Sequence, residues 1–150
     1  MASPFPFTSG QVLTAAQLNS IGEVTSFTPT ISNYTRGNGT SDAGYIQINN
    51  FVYVYLRETL GSTSSISGAL SLTLPVSSSA RETMSGWVQF GEAGVASYAG
   101  FARPVTASSC AIEAINAGST YATIAAVSSS VPFTWASGDF FQIALSYEAA

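Results

Sequence analysis

From Phe27 to the C-terminus, apolar and polar residues alternate in short runs separated by clusters of Gly, Asn, Ser and Pro. Alternation at period two marks strands with one buried face, and little helical periodicity intervenes. The chain therefore predicts an all-β domain, a jelly-roll-like β-sandwich. The predicted strands are Ser26 to Tyr34, Gly44 to Ile48, Phe51 to Leu60, Gly68 to Leu74, Ser85 to Phe90, Val95 to Pro104, Ser109 to Ile115, Thr120 to Val127 and Phe140 to Tyr147. Asn49-Asn50 predicts a two-residue hairpin turn, because Asn tolerates the positive φ such turns demand. Gly118-Ser119 predicts a similar turn before the strand at Thr120.

Two strands differ in what their faces carry. Phe141, Ile143, Leu145 and Tyr147 alternate with Phe140, Gln142, Ala144 and Ser146, a nearly one-sided pattern. In Phe51-Val-Tyr-Val-Tyr-Leu56, one face holds Phe51, Tyr53 and Tyr55 and the other Val52, Val54 and Leu56. Such a strand lies either inside a thick core or under another subunit.

The first 25 residues form a different unit, an arm ahead of a domain over 26–150. Thr14 is placed to cap a short helix through Ala15, Ala16, Gln17 and Leu18, with Gln17 as its capping-box partner and Leu13 at the staple position. Phe5, Phe7, Val12, Leu13, Leu18 and Ile21 make the arm more apolar than a linker needs. An arm too short to enclose a core must bury these side chains on its own domain or on a neighbour.

Composition narrows the functions. The chain has 150 residues, 46% hydrophobic and only 8% charged, with four basic residues, all Arg, and a net charge of −4. A nucleic-acid partner needs a clustered basic surface, which these residues do not supply. No apolar run approaches the roughly 20 residues that cross a bilayer, so no membrane partner is expected. The start of the chain has neither the basic region nor the apolar stretch of a secretion signal. Cys110 is the single cysteine, so no intrachain disulfide framework is expected, and a small buried thiol is.

Histidine is absent. That excludes Ser/His/Asp and Cys/His nucleophilic sites and HExxH zinc sites, and neither phosphate-binding glycine motif occurs. Paired-carboxylate chemistry remains formally open, with Asp42, Glu58, Glu82, Glu92, Glu113 and Asp139 as the acids. They are scattered singly beside strands and turns and are expected to keep the surface solvated. The reading is therefore a non-enzymatic protein without catalytic residues, metal or cofactor. The sequons at Asn33 and Asn38 matter only in a secreted eukaryotic protein.

Several segments resemble one group of proteins. The arm from Phe7 to Asn19 resembles an opening found in virion structural proteins of phages, notably those of actinobacteria. Phe27-Thr-Pro-Thr30, Gly37-Asn-Gly-Thr40, Gly44-Tyr45, the strand at Phe51 to Leu56, Gly61-Ser-Thr63 and Ser71-Leu-Thr-Leu-Pro75 resemble the core of the same group; from Ser77 onward only the texture is similar. The resemblance implies a homotrimeric jelly-roll module on the outer surface of a capsid, bound to the major capsid protein. Particle attachment is then expected through Phe5, Phe7, Val12, Leu13, Leu18 and Ile21, and trimer contact through Phe51, Tyr53 and Tyr55. Arg36, Arg57 and Arg81 are expected at interfaces or in solvent. The alternative is a minor tail or fibre protein that binds host surface glycan, with Trp87, Trp135, Tyr98 or Tyr121 as stacking platforms.

Overall fold

The alternating runs become ten antiparallel strands in the computed structural model, which describes residues 9–79, 86–118 and 120–150. They are β1 (Thr25–Ser26), β2 (Ile31–Thr35), β3 (Thr40–Ile48), β4 (Phe51–Thr59), β5 (Ser65–Thr73), β6 (Gly86–Glu92), β7 (Ala96–Thr106), β8 (Ser109–Asn116), β9 (Thr123–Ala126) and β10 (Phe140–Glu148). One hydrogen-bonded path runs β1-β3-β4-β10-β6-β7-β8-β5-β2, with β9 paired to β8. The all-β class is as expected; the hydrogen-bonded path itself is one curled antiparallel sheet.

The stretch read as a single strand from Ser26 to Tyr34 is two. Pro29 lies between them, and a residue without an N–H cannot continue a ladder. The chain leaves β3 after Ser26 and joins β5 at Ile31, so β1 and β2 occupy opposite ends of the path. The last strand, β10, lies in the middle, paired with β4 along its whole length and with β6 over Phe140 to Ala144. Asn49 takes φ +52° in the Asn49-Asn50 turn between β3 and β4. Residue 119 of the second expected turn is not described.

Period two then sorts the side chains. Val52, Val54 and Leu56 of β4, Val88 and Phe90 of β6, Ile112 of β8 and Phe141, Ile143 and Leu145 of β10 are buried on the concave side. Phe133 and Trp135, between β9 and β10, enter the same core: their rings are 4.5 Å apart, and Trp135 meets Phe90 and Phe141 edge-on at 6.0 and 6.2 Å. The Trp135 indole N–H donates to the Ser128 carbonyl at 3.0 Å, which satisfies the one polar atom that the ring carries inward.

The β2 end of the path closes against β3 and β4 at Glu58. This side chain is fully buried, since it continues the inward row of Val52, Val54 and Leu56 on β4. Arg36, one residue beyond β2, donates to it through Nε at 2.8 Å and Nη2 at 2.7 Å. Ser41 Oγ on β3 donates at 2.6 Å, and the Tyr34 hydroxyl on β2 donates at 3.2 Å. Four donors from β2, the following turn and β3 thus converge on one carboxylate of β4. Above them two turns interlock: Asn38 N donates to Thr63 Oγ1 at 2.9 Å, and Thr63 N donates to Asn38 Oδ1 at 3.0 Å. Gly37 is at φ +55° there, and any Cβ would strike Thr63. Glu58 and Asp139, expected to solvate a surface, are instead buried; Asp139 accepts from the backbone N–H groups of Ala93 and Ala136.

Arg36→Met leaves the buried Glu58 carboxylate without its cation and is expected to cost about 3 kcal/mol of unfolding free energy. Adding Glu58→Gln to that variant removes the uncompensated charge and recovers part of the loss. Chemical denaturation measures both; an Arg36→Met change below about 1 kcal/mol would show that the ends are held by other contacts.

Candidate functional site

The convex side of the sheet is built from the residues that alternate with the core. Cross-strand pairing arranges them in rows. One row runs Gly44, Tyr55, Ala144, Trp87, Phe101 across β3, β4, β10, β6 and β7. Its neighbour runs Asp42, Arg57, Gln142, Gln89, Ala99 across the same strands. On the other side of the aromatic row lie Ile46, Tyr53 and Ser146, then Ile48, Phe51 and Glu148.

The aromatic row is shaped by its small members. Tyr55 lies across Gly44, where any Cβ would fall 2.7 Å from the phenol oxygen. Trp87 packs edge-on against Phe101, with ring centroids 6.1 Å apart. Both rings thus lean away from Ala144, the residue between them. The resulting groove, about 290 Å³, is lined by Tyr55, Trp87, Ala144, Arg57, Gln142 and Asp42 among others.

The polar row is ordered from one end to the other. Arg57 stacks its guanidinium 3.9 Å from the centre of the Phe140 ring and donates to Gln142 Oε1 at 3.1 Å. Gln142 Nε2 donates to Gln89 Oε1 at 2.7 Å, and Gln89 Nε2 donates to Ser97 Oγ at 3.1 Å. Asp42 is exposed beside Arg57 at the open end of this chain.

The nine residues expected to make contacts fall in three places. Phe5 and Phe7 lie outside the described residues. Val12 is 85% exposed and Leu18 50%, Leu13 is exposed, and Ile21 is half-buried. The helix Ala15–Asn19 (α1) has the expected Thr14 cap and Gln17 capping box, and it buries none of its residues. Phe51 is 55% exposed and Tyr53 37%, which removes the thick-core reading of that strand; Tyr55 is half-buried by its lean over Gly44.

Of the aromatics considered as platforms, Trp87 is 53% exposed and Tyr121 81%. Trp135 belongs to the core, and Tyr98 is partly buried against Phe133, its hydroxyl donating to Glu92 Oε2 at 2.9 Å. The remaining acids do not converge: Glu113 pairs with Arg103 on the sheet surface, and Glu82 and Arg81 lie outside the described residues. Among the described residues no group of acids and cysteine has metal-binding geometry, and no helix is long and apolar enough to cross a membrane.

No protein-family model, curated protein or solved structure matches this chain. What the surface does must be argued from its own chemistry. Sequence reasoning found Trp87 and the aromatic side of β4 but missed Arg57, Gln142, Gln89 and Asp42 as one row. Only the strand order sets them side by side.

Titration behaviour separates core from surface. Burial, reinforced by the Glu58 charge and its hydrogen bond, holds the Tyr34 hydroxyl well above the ordinary tyrosine range. Burial pushes Tyr147 up to about 12 and the Cys110 thiol to about 12. For each group the fold favours the neutral form. Their stabilisation is complete below the unfolded-state pKa, near 10 for tyrosine, and is lost as pH rises through the folded-state value. Absorbance at 295 nm should show Tyr34 and Tyr147 ionising last, together with loss of the β-sheet circular dichroism. Ionisation of all tyrosines in one step with the fold intact would contradict these environments. Cys110 should resist thiol reagents at pH 8 until the chain is denatured.

Proposed function

We propose that this chain is a structural subunit of a phage virion, a homotrimeric module that decorates and stabilises the outer surface of the head. The observation that carries this reading is the arm. Its helix is capped by its own Thr14 and Gln17, yet Val12, Leu13 and Leu18 remain in solvent. Apolar side chains held out on an ordered element are the chemistry of a segment that docks on another protein. The resemblance of Phe7 to Asn19 to the opening of virion structural proteins supports the major capsid protein as that surface. Copies of the arm on one trimer would bind with the avidity of linked sites, without a large footprint for any one arm.

Trimer contact is assigned to the edge of the convex face where Ile48, Phe51 and Tyr53 lie together, with Tyr55 at its border. Interface cores are enriched in such aromatics, and Glu148, across from Phe51, is the acid of this edge. The second reading, a minor tail or fibre protein that takes host glycan, draws support from the exposed Trp87 and the groove beside it.

The module should sediment as three chain masses, and Phe51→Asp should convert it to a folded monomer. Val12→Asp with Leu18→Asp should leave the trimer and its melting temperature unchanged, because both side chains are exposed, while abolishing retention on virions. Densitometry and reconstruction of intact particles should find many copies as three-lobed protrusions on the head. A handful of copies confined to the tail would overturn the decoration assignment in favour of the second reading, and a stable wild-type monomer would remove the trimer.

A further inference from the structure

We infer that the convex groove between Tyr55 and Trp87 is a binding site for a neutral pyranose, a sugar ring of a polysaccharide. The two aromatic residues flank Ala144 at a separation of two strand spacings, about 10 Å between backbones. With Tyr55 lying over Gly44 and Trp87 packed on Phe101, the space over Ala144 stays open as a groove of about 290 Å³. Trp87 is more than half exposed. A pyranose presents C–H groups on its faces, which an electron-rich aromatic face attracts, and hydroxyls around its rim.

The rim chemistry lies one row away. Hydroxyls both donate and accept, so a sugar site needs both kinds of partner at fixed positions. Arg57 supplies guanidinium donors held by Phe140 and Gln142, Gln142 supplies an amide held at both ends, and Asp42 supplies an acceptor without a hydrogen-bond partner among the described residues. Each of the held groups is positioned by a neighbour before any ligand arrives, which lowers the ordering cost of binding. An apolar slot with a few convergent polar groups is the general form of a small-ligand site.

Charge selects among ligands. Asp42 and Arg57 are cross-strand partners of opposite sign, so the groove asks for no net charge. A phosphorylated or nucleotide ligand would need more cation than one balanced arginine. Hydrolysis of the bound sugar would need two carboxylates flanking the bond, and Asp42 is the one acid lining the groove. The site binds and releases.

The inference rests on the virion reading only for the source of the sugar, a host-surface polysaccharide. Tyr55 borders both surfaces, but Trp87 lies two strands away from Phe51 and Tyr53, so variants at Trp87 and at Phe51 test binding and trimerisation apart. Saturation-transfer NMR of the full chain with the methyl glycosides of glucose, galactose, mannose and N-acetylglucosamine is the experiment, with the Trp87 indole signal followed in parallel. At least one glycoside should receive saturation and shift the indole resonance, with millimolar affinity. Trp87→Ala should weaken that affinity at least tenfold, Asp42→Asn should weaken it severalfold, and Phe51→Asp should leave it unchanged. No saturation of any of the four by folded protein, or wild-type affinity in Trp87→Ala, would overturn the site. Neither result would bear on copy number or attachment to the particle.

Discussion

A carboxylate taken wholly out of water is tolerable only when its lone pairs are filled and its charge is balanced. Glu58 meets both conditions with groups that the chain delivers from three places, Arg36 and Tyr34 from the end of the path at β2 and Ser41 from β3. These contacts join β2 to β3 and β4 across the curl of the sheet. If the two ends opened, Glu58 would lose its cation and Phe141 its edge-on contact with Tyr34. The network lies where hydrogen bonding between strands stops, so side chains connect the ends that the backbone does not pair.

Around this junction the division of labour between the two faces is nearly complete. The concave side is filled by aliphatic residues and by the Phe90, Phe133, Trp135 and Phe141 cluster, with Trp135 and Tyr147 satisfying their polar atoms on backbone groups. The convex side keeps aromatic and amide residues in ordered rows, two of the aromatics lying over glycines: Tyr55 over Gly44 and Phe140 over Gly91. The low charge of the chain, 8% of its residues, matches the amide and aromatic character of these rows.

Three proposed contacts then fall on the exposed arm, toward a particle, on the Ile48, Phe51 and Tyr53 edge, toward other copies, and on the Tyr55 and Trp87 groove, toward a sugar, with Tyr55 at the border of the last two.

Much of this was legible in the residues themselves. Period-two alternation identified the strands and the inward row of β10, Thr14 and Gln17 marked the helix start, and Asn49-Asn50 gave its turn, because each depends on interactions within a few residues. Glu58 is expected from the sequence to solvate a surface, whereas the inward register of β4 carries it to the buried face. Its partners, however, come from 17 to 24 residues away, a distance across which alternation holds no information. The same limit explains why Ser26 to Tyr34 reads as one strand although Pro29 divides it between opposite ends of the sheet. Arg57, Gln142 and Gln89 become a row only through the placing of β10 between β4 and β6. Local pattern fixes which way a side chain faces; pairing order, a property of the whole chain, decides what it faces.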